Sequence, residues 1–75
     1  MKIEAKGDSE DIRIYIDGLL HLRIPRDKKT KIHSWVEGDS KLYIIKIWCK
    51  KHSDYMTYDN KTMWSKILKL LDEQL

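Results

Sequence analysis

Apolar residues alternate with polar ones through residues 2–58 and change to helical spacing over 60–74. The densest stretch is KLYIIKIWCK at 41–50, which is apolar on both parities of a strand. Leu42, Ile44 and Trp48 point one way and Tyr43, Ile45, Ile47 and Cys49 the other, which predicts a central strand with both faces at least partly covered. Before it, residues 2–6 alternate Ile3 and Ala5 with charged neighbours and read as an edge strand.

Residues 11–17 and 19–25 predict a hairpin around Asp17-Gly18, with Ile12, Ile14 and Ile16 on one arm and Leu20, Leu22 and Ile24 on the other. A two-residue type I′ turn opposes Ile14 to His21 and Arg13 to Leu22, so the apolar faces disagree. A three-residue loop, Ile16-Asp17-Gly18, pairs Ile14 with Leu20 and Ile12 with Leu22 and is the expected register. It leaves Arg13, Tyr15, Leu19, His21 and Arg23 on the opposite face.

After a basic loop, residues 31–37 return as a strand, and Gly38-Asp39 turns the chain into 41–50. The expected register opposes Ser34 to Tyr43 and Ile32 to Ile45, which puts Ile32, Ser34 and Val36 on the side of Tyr43, Ile45, Ile47 and Cys49. The other side collects Lys31, His33, Trp35, Leu42, Ile44, Lys46 and Trp48. Residues 54–58 form a last strand, with Met56 and Tyr58 on the Ile45 side and Tyr55 beside Trp48.

Asp59 or Asn60 caps a helix over 60–74, in which Met63, Trp64, Ile67, Leu68, Leu71 and Leu75 share one arc, widened by Leu70. Its expected target is the face made by Ile12, Ile14, Leu20, Leu22, Ile32, Val36, Ile45 and Ile47. The predicted fold is α+β, a strongly curved antiparallel meander sheet of five or six strands with one C-terminal amphipathic helix packed on one face. It forms one domain over residues 1–75.

The helix leaves the other sheet face uncovered. Arg13, Tyr15, His21, Arg23, Lys31, His33, Trp35, Lys46, Trp48 and Tyr55 all project there in the expected registers. Aromatic faces stack on bases and cations neutralise phosphates, so this face has the composition of a single-stranded nucleic-acid platform. Two other readings fit the same residues. The sheet can curl and close Leu42, Ile44, Trp35 and Trp48 into a second small core, or the patch can be a homodimer interface. Two basic loops, Arg26, Lys28 and Lys29 and then Lys50, Lys51 and His52, stand ready to extend a phosphate track.

Composition narrows the class. A 75-residue chain has one core of thin stability margin, so a partner or second copy contributes noticeably. Its net charge of +3 is a mild bias, so distribution matters more than the sum. A single cysteine excludes an intrachain disulfide, and no apolar run reads as a signal peptide or a membrane span, which together predict a cytoplasmic protein. Cys49 and His52 form a C-x-x-H pair, but His21 and His33 project to the other face. No metal or cofactor is therefore expected, and Cys49 reads as a buried, inert thiol. No catalytic constellation stands out. Ser34 and His33 point to opposite faces, Asp72 and Glu73 lie on the solvated side of the helix, and the glycines serve separate turns.

The order of elements, a strand meander closed by an amphipathic helix with inward Trp64, resembles a shortened pleckstrin-homology-like domain, which implies phospholipid or peptide binding. It is also similar to the small dimeric coactivators that bind single-stranded DNA on a curved sheet. The chain is therefore expected to be a non-catalytic binding module using the aromatic and basic face, most concretely for single-stranded nucleic acid. The alternative is a protein-interaction or adaptor domain in which that face is internal core.

Overall fold

The computed structural model describes residues 1–75, an α+β chain of six antiparallel strands and one C-terminal helix. The strands are β1 (Ile3–Gly7), β2 (Asp11–Ile16), β3 (Leu19–Pro25), β4 (Lys31–Glu37), β5 (Leu42–Trp48) and β6 (Ser53–Tyr58), and the helix α1 is Lys61–Gln74. No helix is long and apolar enough to cross a membrane.

The strands form two three-stranded sheets, β1-β2-β3 and β4-β5-β6, instead of the expected single meander. The break lies in residues 26–30. Pro25 has no N–H to offer a further strand, and the Arg26 N–H donates back to the Glu10 carbonyl at 2.8 Å. Asp27 then accepts from the Lys29 N–H at 2.8 Å with one oxygen and from the Lys50 N–H at 2.9 Å with the other. The chain is thus handed from one sheet to the other at a pinned point, and β4 starts beside β5. Nor does either sheet curl strongly enough to close its outer face: Trp35 is 40 % and Trp48 45 % exposed. The second small core considered from the sequence does not form.

The β2-β3 hairpin corrects the expected register. Asp17 (φ 50°) and Gly18 (φ 81°) are both left-handed, as a two-residue type I′ turn requires, so the loop is not three residues long. The Asp17 N–H and carboxylate are fixed by the Lys2 carbonyl and N–H, both at 2.8 Å. The turn pairs Ile16 with Leu19 and Tyr15 with Leu20. A bulge then leaves His21 unpaired, after which Ile14 opposes Leu22 and Ile12 opposes Ile24. One extra residue restores the agreement of apolar faces that a plain two-residue hairpin lacks.

In the second sheet Ser34 opposes Ile45 and Ile32 opposes Ile47 across a 3-10 turn at Gly38–Ser40. This lies two residues from the expected pairing. An even shift leaves every side chain on its expected face. Met56 opposes Ile45 and Tyr58 opposes Tyr43, on the side expected, while Tyr55 opposes Lys46 rather than Trp48.

The core joins Ile3, Ile12, Ile14 and Ile24 of the first sheet to Ile45, Ile47 and Tyr58 of the second through Ile67 and Leu71 of α1. The helix packs on β1, β2, β5 and β6. Leu20 and Val36, expected in this core, are exposed. Leu20 is carried to the Tyr15 side by the turn register, and Val36 stands on an edge strand beyond the main helix contacts. Leu75, the C-cap residue whose N–H donates to the Leu71 carbonyl at 3.1 Å, is exposed as well. Asn60 is the cap, its side chain accepting from the Thr62 and Met63 N–H groups at 2.9 and 3.2 Å.

Two further ties fix the helix. Half-buried Trp64 lies 5.2 Å from the Tyr43 ring and donates from Nε1 to the Ile44 carbonyl at 3.4 Å. At the other end the Arg26 guanidinium donates to the Gln74 carbonyl and side chain. Gly7 makes room for this clamp, because a Cβ there would lie 2.5 Å from Gln74 Oε1 and 2.7 Å from Arg26 Nη2.

Urea denaturation checks this account. Asn60→Ala is expected to cost about 1 kcal/mol and Ile47→Ala roughly 2–5 kcal/mol, whereas Val36→Ala stays within about 0.5 kcal/mol.

Candidate ligand-binding face

The ten residues expected on one aromatic and basic face fall on two separate sheets and in two chemical states. Arg13, Tyr15 and Arg23 belong to the first sheet, where Arg13 and Arg23 stand directly opposite each other. Two like charges in that position repel unless an anion separates them. Buried Asp11 supplies it, with Oδ2 2.5 Å from Arg23 Nε and Oδ1 3.4 Å from Arg13 Nε, and Asp8 adds a contact to Arg13 at 3.4 Å. The hydrogen bond and charge of Asp11 raise the Arg23 pKa further. Asp8 is held below its ordinary 3.8 by hydrogen bonds from the Asp11 and Glu10 N–H groups, with the Arg13 and Arg23 charges adding to them. Tyr15 is covered by Lys6, whose Nζ sits 5.3 Å from the ring centroid. This face is neutralised by its own residues.

His21 separates from the rest. As the bulge residue it stands with its ring 6.4 Å from that of Tyr58, a member of the core. Burial pushes the Tyr58 phenol above its ordinary pKa of 10.0.

The remaining six, Lys31, His33, Trp35, Lys46, Trp48 and Tyr55, share the outer face of the second sheet in three cross-strand rows. Lys31, Trp48 and Ser53 make the first, His33, Lys46 and Tyr55 the second, and Trp35, Ile44 and Thr57 the third. Each row carries one exposed Trp or Tyr ring: Trp48, then Tyr55 (68 % exposed), then Trp35, with the exposed His33 imidazole beside Tyr55 in the middle row. Rows are about 7 Å apart, two residues of strand rise. The four ion pairs of the chain all lie in the first sheet and its turns, so Lys31 and Lys46 have no carboxylate partner. The acid at Glu37 lies at the far end of β4, opposite Leu42.

The Lys31 end of this face runs into the two basic loops, which the structure brings together. Asp27 is the clasp, bonded to the Lys29 and Lys50 N–H groups and 3.0 Å from the Thr30 hydroxyl. Arg26, Lys28, Lys29 and Lys50 line one open depression around it, and Lys29, Trp48, Lys50, Lys51 and His52 line the next. Trp48 therefore borders both the rows of rings and the loop cations. Desolvation at this junction works against the Asp27 carboxylate, but the N–H groups of Lys29 and Lys50 and the Thr30 hydroxyl outweigh it and hold its pKa below 3.8. The sequence reading named the loop cations but missed the clasp. Its signal is local, because an Asp followed two residues later by a bonding N–H and three later by Thr is an Asx-type turn.

Cys49 is buried, its thiol 3.0 Å from the His52 carbonyl and 3.5 Å from His52 Nδ1. No three His, Cys, Asp or Glu side chains gather as ligands for a metal ion. The chain matches no family model, no curated protein and no solved structure.

Because the folded Asp27 pKa is depressed, its contribution to the loop junction is complete above about pH 3.8 and is lost as pH falls through the lower, folded value. Protection of the Lys29 and Lys50 amides against hydrogen exchange, taken relative to the intrinsic rate at each pH, should fall over that acid range, and Asp27→Ala should remove the same protection at neutral pH.

Proposed function

We propose that the chain is a non-catalytic binding module that takes single-stranded nucleic acid on the outer face of the second sheet, with the two basic loops continuing the phosphate contacts. The observation that carries this reading is the set of three exposed rings, Trp48, Tyr55 and Trp35, on successive rows among lysines that have no acidic partner. A stacking surface needs free ring area, and every base offers a π-face to it. The three rings stand on three different strands, Trp48 on β5, Tyr55 on β6 and Trp35 on β4, so their backbone positions lie roughly 8 and then 12 Å apart, and bases stack on them as separate sites across the sheet. Lys31 and Lys46 lie beside the rings, and Lys28, Lys29, Lys50 and Lys51 stand at the Trp48 end, so backbone phosphates find cations along one track. The first sheet contributes little, because Arg13 and Arg23 are already committed to Asp8 and Asp11.

Fluorescence anisotropy with a mixed-sequence labelled oligonucleotide tests the reading. Affinity should fall steeply with salt. Trp48→Ala and Tyr55→Ala should each weaken binding by about 1–3 kcal/mol without shifting the urea midpoint. Trp35→Ala should weaken binding and also lower stability, since that ring stands beside buried Ile44. Arg13→Ala should leave affinity almost unchanged while destabilising the fold, because it strips a partner from buried Asp11. Absence of binding at low salt, or equal losses from Arg13→Ala and Trp48→Ala, would overturn it.

A further inference from the structure

We propose that the free edge of β4 is a self-association surface, on which a second copy of this chain adds its own β4 antiparallel and joins the two second sheets into one of six strands. The inference does not depend on the ligand assigned to the outer face.

An unpaired strand edge offers backbone donors and acceptors to any other strand, and proteins blunt such edges with bulges, prolines, inward charges or short length. Three of the four edges here are blunted. The β3 edge carries the His21 bulge and ends in Pro25. The β6 edge places Asp54 on the core side, opposite Ile47. The β1 edge is five residues long, flanked by Lys2 and ending in Lys6-Gly7. β4 has seven residues, with no proline, glycine or bulge; its two charged residues, Lys31 and Glu37, stand only at its ends, and it is exposed at all but Ile32.

Its sequence is also complementary to itself. An antiparallel pairing centred on Ser34 opposes Lys31 to the partner's Glu37, Ile32 to the partner's Val36 and His33 to the partner's Trp35, with each contact made twice. Residues of one parity stay on the outer face and those of the other on the core side, so charge meets opposite charge and apolar meets β-branched apolar. A slip of two residues in either direction puts Ile32 or Val36 opposite Ser34. The charges that would repel in a parallel pairing, Lys31 against Lys31 and Glu37 against Glu37, instead select the antiparallel one. Val36, 49 % exposed on the core side in the isolated chain, then acquires an apolar neighbour.

Sedimentation equilibrium of the full chain tests the proposal. The wild-type mass should rise from 9.0 kDa towards twice that value with concentration. Lys31→Glu and Glu37→Lys each place two like-charge pairs in the interface and should each weaken self-association by about tenfold or more. An equimolar mixture of the two variants should recover wild-type association, because every such contact then opposes unlike charges. Both positions are exposed, and an unchanged far-UV circular dichroism spectrum verifies that the variants fold. A wild-type chain that stays at 9.0 kDa up to about millimolar concentration, single variants that associate like wild type, or a mixture that recovers nothing would each overturn it.

Discussion

The two sheets share no hydrogen-bonded ladder, and what makes them one core is the contact of Ile67 and Leu71 with both. These two residues lie one helical turn apart, on a helix that packs against β1 and β2 of one sheet and β5 and β6 of the other. Everything else about α1 serves to hold that contact in place: the Asn60 cap at its start, Trp64 donating to the Ile44 carbonyl in its first half, and Arg26 clamping Gln74 at its end. The Arg26 clamp also returns to the loop that carries the chain between sheets. Helix position and sheet crossing are therefore fixed by neighbouring residues, Arg26 and Asp27, and neither sheet can move relative to the helix without breaking one of them.

A single helix covers only the inner faces, so each sheet must manage its outer face with its own side chains. The two do this in opposite ways. The first sheet pairs its cations with Asp8 and Asp11 and lays Lys6 over Tyr15. In the second, the rings and lysines are left without acids, and Glu37 and Asp39 are kept to the turn end. A net charge of +3 averages these two surfaces and conceals their difference. The asymmetry leaves Lys31 and Lys46 of the second face without a carboxylate partner, whereas Arg13 and Arg23 of the first are paired.

Parity was the most legible property of the sequence. KLYIIKIWCK shows which side chains share a face, and a register error of two residues against β4 left that division intact. The β2-β3 hairpin was harder because Asp17-Gly18 demands a two-residue turn while the isoleucines demand an even offset. The expected loop satisfied the second demand by changing the turn, whereas the chain satisfies both by inserting His21. The split into two sheets was not legible, because alternation marks faces and says nothing about which edges meet. That information resides in Pro25, Arg26 and Asp27, whose partners Glu10, Gln74 and Lys50 are remote in sequence. The ion pairing of Arg13 and Arg23 was hidden for a different reason: Asp8 and Asp11 are near in sequence, but only the bulged register sets the two arginines opposite each other beside Asp11.

Ile44 sharpens what the outer face of the second sheet is. It is only 5 % exposed, and its direct cross-strand neighbours on that side are Trp35 and Thr57. An indole in that position does two things at once. Part of its surface excludes water from Ile44, which gives the ring a reason to be held in one orientation, and the rest faces solvent. A side chain ordered by packing loses little further entropy when a planar group stacks on it. Of the three rings, Trp35 alone stands opposite a buried outer-face residue, whereas Trp48 opposes Lys31 and Ser53 and Tyr55 opposes Lys46, so this packing argument applies to Trp35 only.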